Sequence, residues 1–131
     1  MGFFSDLKTA TKNAADRADQ EVETQKLKSE ISSLNSDIRK GYSEIGELYY
    51  QNVKDPNADF AGKSKEIVDR IDADLAKIEE LNKEIEKVIA DHENNRDTNR
   101  AEQAAEDERK KAEREAAKAE REAAKAAEKK E

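Results

Sequence analysis

The sequence predicts an all-α protein: an antiparallel coiled-coil helical hairpin, preceded by an N-terminal amphipathic helix and followed by a charged tail. Of its 131 residues, only 34% are hydrophobic and 44% are charged, so the apolar side chains can form a narrow stripe but not a thick core. Only four glycines and one proline are present, a composition typical of long helices. The large apolar residues recur three and four positions apart, which is the spacing of a coiled-coil seam.

Residues 1–24 are predicted to form the amphipathic helix. The opening "MGFFSDLK" contains three large apolar side chains in an otherwise polar segment. One helix face combines two of them with small residues: Phe3, Leu7, Ala10, Ala14 and Ala18. Two interpretations of this face stay open, because it can dock on another subunit or partner helix, or enter a lipid interface. We therefore expect Phe3, Phe4 and Leu7 to contact a partner or a membrane.

Residues 25–92 are predicted to form the antiparallel hairpin, with a turn near residues 52–57. Asp55 is a suitable N-cap and Pro56 suits the first position of a helix, so the second helix is expected to start there. The predicted hairpin interface consists of the seam residues on both sides of this turn: Leu27, Ile31, Leu34, Ile38, Ile45, Leu48, Ile67, Ile71, Leu75, Ile78, Leu81, Ile85 and Val88.

An antiparallel pair brings together residues whose numbers have a constant sum, and the sum that pairs Ile45 with Ile67 matches seam to seam in most layers. Two layers are exceptional. Gly41 faces Ile71, which indicates either that a small residue admits a bulky partner or that the helix is locally weak. In the other, Ile38 faces Asp74, and this layer is expected to be poor unless the neighbouring Leu75 covers it.

Residues 93–131 are predicted to form a charged low-complexity tail. From Asp91 onward the chain has no Leu, Ile, Val, Met, Phe or Tyr, and "AEREAAK" occurs at 112–118 and again at 119–125. Such a segment is not expected to pack into a core. Its alanine content favours a solvated, partly helical rod, and the alternative is a disordered charged tail.

Several functional classes are disfavoured. Residues 91–131 carry 11 basic and 13 acidic side chains, and no other segment is basic either, so we expect no nucleic-acid binding. The sequence has no cysteine and one histidine, His92, which we interpret as a solvated or helix-end residue rather than a metal ligand. No set of polar residues converges on a site, so we expect no catalytic residues, no metal, no cofactor and no small-molecule substrate.

The remaining expectation is a non-enzymatic helical protein–protein interaction or assembly module. A single hairpin with so few apolar residues is marginally stable alone, and self-association into a four-helix bundle is the simplest way to cover its tyrosine-bearing side. The expected partner is a second copy or another helical protein. The alternative is a peripheral membrane protein that uses its N-terminal helix. We expect a cytoplasmic location, at the inner face of the membrane under the alternative, because no long apolar run or signal peptide is present.

Three stretches carry a family resemblance: "MGFFSDLK", "EIGELYYQN" from Glu44 to Asn52, and "DPNADF" from Asp55 to Phe60. Together with the second heptad helix they resemble a group of small, uncharacterised bacterial proteins in which a helical hairpin is usually followed by a C-terminal zinc ribbon. The resemblance covers residues 1–90 and implies the hairpin fold but no activity. The ribbon's paired cysteines are absent here, so the zinc is not implied. The "MGFF" start also has a fainter likeness to phage-shock protein A and its relatives, whose N-terminal amphipathic helix binds membranes.

Overall fold

The computed structural model describes residues 2–129, which form two helices, α1 (Gly2–Lys54) and α2 (Phe60–Lys129). The helices pack against each other and the described residues contain no strand, which confirms the all-α helical hairpin. The contacts divide the chain into two units. We call residues 19–90 the hairpin unit, and the described parts of residues 1–18 and 91–131 the terminal unit.

The connection between the helices spans residues 55–59, and the N-cap of α2 differs from the prediction. The Asp55 side chain accepts a hydrogen bond from the backbone N–H of Asn57 at 3.1 Å and so stabilises the turn itself. The Asp59 side chain accepts a hydrogen bond of 3.1 Å from the backbone N–H of Gly62, three residues further along, as an N-cap does. The prediction of an Asp55 cap with a helix start near Pro56 was therefore wrong, because α2 begins at Phe60.

The hairpin unit is held together by a thin aliphatic seam. Ile38, Ile67 and Ile71 form a buried cluster, against which Ile45, Leu48 and Ile78 pack. Leu81 is also buried, at 5% exposure, but none of the described side chains is completely enclosed. The other predicted seam residues are half-buried: Leu27, Ile31, Leu34, Ile85 and Val88. Each apolar layer is thus only one or two side chains wide, as the composition indicates.

Leu75 does not take the place predicted for it. Its side chain is 46% exposed, whereas Asp74 is half-buried at the seam position. The layer needs no cover from Leu75 because Ile38 is 5% exposed and packs in the cluster with Ile67 and Ile71. The expectation that Leu75 would swing into the seam was wrong.

Gly41 is buried against the opposite helix. A Cβ atom at this position would lie 2.9 Å from both Cδ1 and Cγ1 of Ile71, which is too close for ordinary packing. At Gly46, one turn further along α1, a Cβ atom would meet nothing within 4 Å. The contrast supports the first interpretation of Gly41: the missing side chain makes room for Ile71.

The terminal unit packs through polar side chains. Asn13 and Arg96 are buried, at 7% and 8% exposure, and the inward-facing residues of α2 recur at a new spacing: His92, Arg96, Asn99, Gln103, Asp107 and Lys110. This pattern repeats every 11 residues rather than every seven. The expectation that the start of the tail would not pack was wrong, because hydrogen bonds between polar side chains replace apolar contacts there.

The end of the tail matches the helical interpretation. α2 continues to Lys129, and every described residue from 111 to 129 is exposed. The repeated "AEREAAK" therefore forms a solvated helical rod, for which the high helix propensity of alanine is the local cause. No helix among residues 2–129 combines the length and the apolar character that a membrane crossing requires.

Candidate interaction site

The two sides of the hairpin unit differ in chemistry. Glu44 and Arg70 each precede a seam residue, and they form an ion pair of 3.0 Å across one side of the hairpin. Both occupy heptad position g, and in an antiparallel pair g positions face each other on one side of the seam while e positions face each other on the opposite side. Four residues of that second side are apolar and exposed, and we call them the apolar flank: Tyr42, Tyr49, Val68 and Leu75.

The apolar flank combines aromatic residues of α1 with aliphatic residues of α2. Tyr42 and Tyr49 are 57% and 60% exposed, and Val68 and Leu75 are 43% and 46% exposed. Tyr49 also contacts Phe60 edge to face, with ring centroids 5.9 Å apart. The four residues form an exposed apolar row beside the seam.

Two further exposed apolar residues of α1 lie off the apolar flank. Tyr50 and Val53 are 63% and 61% exposed. Tyr50 is one residue round the helix from Tyr49 and its ring lies under the ammonium group of Lys54, 5.5 Å from the centroid. This contact gives Tyr50 a local role that does not require a partner.

The terminal unit contains a largely buried charge cluster. Asp16 accepts hydrogen bonds from Nδ1 of His92 at 2.7 Å and from the Arg96 guanidinium at 3.0 Å. The side chains of the three residues are only 10–15% exposed. His92 is therefore neither solvated nor at a helix end, and the sequence interpretation of this residue was wrong.

The charge cluster shifts the ionisation of its carboxylate. The hydrogen bond from His92 lowers the pKa of Asp16 below its ordinary value, and the Arg96 guanidinium acts in the same direction. Burial acts in the opposite direction but does not prevail. Asp16 therefore remains an anion at neutral pH, which makes Nδ1 of His92 the hydrogen-bond donor, since an ionised carboxylate only accepts.

Further polar pairs between α1 and α2 follow the charge cluster toward the start of α1, and we call this set of polar contacts the polar seam. The Asn99 side chain donates a hydrogen bond to Oδ1 of Asn13 at 3.0 Å, and Gln103 donates to Asp6. Among the described residues every buried side-chain nitrogen and oxygen has a hydrogen-bond partner, as buried polar groups in folded proteins usually do.

Phe3, Phe4 and Leu7 lie near the start of α1 and are exposed. They are 71%, 74% and 53% exposed, and the two phenylalanine rings contact each other edge to face at 5.8 Å. The structure thus brings the three residues together at the first turns of α1, as an exposed apolar group that no described part of the chain covers.

No group of three His, Asp or Glu side chains among the described residues converges as a metal would require. One open groove along the hairpin unit is lined mainly by charged and polar side chains, including Glu44, Glu66 and Arg70.

Sequence reasoning missed the polar seam of the terminal unit. Its signal is present, because the constant sum that pairs Ile45 with Ile67 also pairs Asn13 with Asn99, and Asp16 with Arg96. The apolar residues alone do not indicate this contact. Complementary polar residues at the same register would have indicated the contact.

Comparison with known protein families, with curated proteins and with solved structures gives no match for this chain. The resemblance of residues 1–90 to zinc-ribbon hairpin proteins stays a prediction, as does the fainter likeness to phage-shock protein A.

Proposed function

We propose that this chain is a non-enzymatic helical assembly module that associates with a second copy of itself through the apolar flank. The observation that carries the proposal is the exposure of Tyr42, Tyr49, Val68 and Leu75 on one side of the hairpin unit. Several exposed apolar side chains on one side of a helix pair are typical of an interaction site.

A second copy is favoured as the occupant because the flank is complementary to itself. It presents aromatic residues from α1 and aliphatic residues from α2. A twofold axis through the flank sets the tyrosines of one copy against Val68 and Leu75 of the other, as an isologous interface requires. Two hairpins joined in this way form a four-helix arrangement and widen the thin seam of each.

The area of the flank suits the centre of a dimer interface. A tyrosine buries about 150–250 Å² when it is fully covered, so two tyrosines that are 57% and 60% exposed offer roughly 240 Å² between them. A standard interface covers about 800 Å² on each partner. The flank thus supplies an apolar core, and the charged residues around it supply the polar rim.

Light scattering and analytical ultracentrifugation test this proposal. The wild-type chain is expected to be a dimer at about tens of micromolar, and Tyr42→Glu and Leu75→Glu are each expected to weaken the dimer at least about tenfold, by burying a charge. Tyr50→Glu is the matched control, because it makes the same change at an equally exposed tyrosine off the flank. A compact wild-type monomer, or equal weakening by Tyr50→Glu, contradicts the proposal.

A second candidate function is peripheral membrane association through Phe3, Phe4 and Leu7. The observation that favours it is their combined exposure at the first turns of α1, a position from which apolar side chains can enter a lipid interface. Flotation with vesicles tests it: Phe3→Ser combined with Phe4→Ser is expected to reduce the bound fraction. Equal flotation of this variant and the wild type contradicts the candidate.

A further inference from the structure

In the terminal unit one face of α2 packs on α1. Beyond the point where it is level with the start of α1, the same face of α2 carries only basic residues up to Lys125. Up to Lys110 the inward-facing residues of α2 are at least half-buried, and beyond it every described residue is exposed. Continuing the same spacing of four and three residues beyond Lys110 gives four more cations: Arg114, Lys118, Arg121 and Lys125. We call these four residues, together with Lys110, the basic stripe.

The basic stripe is a property of helix geometry rather than of net charge. At 3.6 residues per turn its five members fall within an arc of about 80°. The glutamates of the repeat fall on either side of that arc: Glu113, Glu115, Glu120 and Glu122. A segment that is close to neutral overall therefore presents one strongly cationic face, about 22 Å long at a rise of about 1.5 Å per residue.

Most of these cations are available to a partner. Lys110 forms an ion pair with Glu106 at 3.2 Å, which lowers the pKa of that carboxyl. Within residues 2–129, Arg114, Lys118, Arg121 and Lys125 make no ion pair or hydrogen bond through their side chains. An unpaired cationic face on a solvated helix is complementary to an extended anionic surface.

We propose that the basic stripe is a docking surface for an anionic lipid bilayer. The register of the terminal unit, set by Asn13 with Asn99, places Phe3 and Phe4 level with residues 108–109, where the stripe begins. Both rings are more than two-thirds exposed. A bilayer offers anionic headgroups and an apolar layer together, and stable membrane binding normally needs two such signals. An acidic protein or a nucleic acid matches the charge alone.

This site is separate from the apolar flank, which lies in the hairpin unit, so it does not depend on self-association. It also extends the second candidate function by a different group of residues. Long lysine and arginine side chains keep their charge in water while their stems lie along the interface. The attraction falls off within a Debye length, and we therefore expect binding to be salt-sensitive.

An exchange variant tests the stripe at constant composition and net charge. It combines Glu113→Arg with Arg114→Glu and Glu120→Arg with Arg121→Glu, which moves two cations out of the arc and brings two anions in. The control exchanges Glu108 and Arg109, two exposed residues off the arc. Co-sedimentation of the full chain is measured with phosphatidylglycerol-containing vesicles, with phosphatidylcholine vesicles and with duplex DNA, and circular dichroism checks that helicity is retained.

The wild type and the control are expected to bind the anionic vesicles and to dissociate at about 1 M salt, where the Debye length is about 3 Å. Each cation near such a surface contributes about fivefold to partitioning, so the exchange variant is expected to bind at least about tenfold more weakly. Three results overturn the proposal: no wild-type binding to anionic vesicles, equal binding by the exchange variant, or stripe-dependent binding to DNA but not to vesicles. If Phe3→Ser with Phe4→Ser binds like the wild type while the exchange variant does not, the stripe acts alone and the second candidate function fails.

Discussion

Asp16 shows how one polar residue can define the pairing of two helices. Its carboxylate contacts both His92 and Arg96, which are one turn apart on α2. Burying charges costs free energy that the ion pairs and hydrogen bonds only partly return. Such a cluster therefore contributes less to stability than an apolar layer would. It favours one register, since a shift along α2 leaves at least one charge unpaired.

The pH dependence of the terminal unit follows from the lowered pKa of Asp16. A carboxyl whose pKa is lower in the folded state stabilises that state above its unfolded value of about 3.9, and the contribution is lost as the pH falls through the folded pKa. Asp16→Asn removes this contribution. We expect the gap in unfolding free energy between wild type and variant to shrink as the pH falls below about 4.

Urea unfolding followed by circular dichroism at a series of pH values measures this gap. Asp19→Asn is the matched control, because Asp19 is exposed on the same helix and its substitution is expected to have little effect at any pH. A gap for Asp16→Asn that stays unchanged down to pH 3 would show that the ionised carboxylate is not what stabilises the contact.

At the scale of the elements, two aspartates stabilise different parts of the connection between α1 and α2. Asp55 stabilises the turn through the N–H of Asn57, and Asp59 caps α2 through the N–H of Gly62. Both residues are good caps by type. The helix starts at the second because the first is already engaged in the turn, directly before the proline.

Replacement of the cap is expected to destabilise the hairpin more than replacement of the turn residue. Asp59→Ala leaves helix N–H groups without an acceptor and should lower the unfolding free energy by about 1 kcal/mol. Asp55→Ala should have a smaller effect, since Asn57 is exposed to water. Chemical denaturation compares the two variants directly. A larger loss for Asp55→Ala would indicate that α2 starts where the sequence first suggested.

At the scale of the whole molecule, the two units differ in what holds them. The hairpin unit contains the buried aliphatic cluster of Ile38, Ile67 and Ile71. In the terminal unit the buried residues are polar, and hydrogen bonds contribute less net free energy than apolar burial because water competes for them. The local stability of the chain should therefore differ between its units.

Amide hydrogen exchange followed by NMR or mass spectrometry measures this difference. We expect slow exchange around Ile38 and Ile71, faster exchange in residues 2–18 and 92–107, and the fastest in residues 111–129, where every described side chain is exposed. Uniform protection of α2 from Phe60 to Lys110 would contradict the proposed difference between the units.

The sequence by itself determined the fold class and most of the hairpin seam. Leu, Ile and Val recur three and four residues apart, which places them on one side of a helix. That side is buried because the removal of apolar side chains from water is favourable. The pairing of Gly41 with Ile71 also follows from the constant sum, and the structure supplies its steric reason.

Only the tertiary structure decided how the remaining polar and charged residues are used. Transfer from water to the protein interior is unfavourable for polar side chains such as Asn13, Asp16, His92 and Arg96. They are buried because each hydrogen-bonds to a partner on the other helix. Leu75 lies on the flank, and the half-buried Asp74 holds the seam position instead. The net charge of the tail does not reveal the basic stripe, because it sums over all faces of the helix and a binding surface uses only one of them. The structure identifies that face, because it shows that α1 packs on α2 only as far as Lys110.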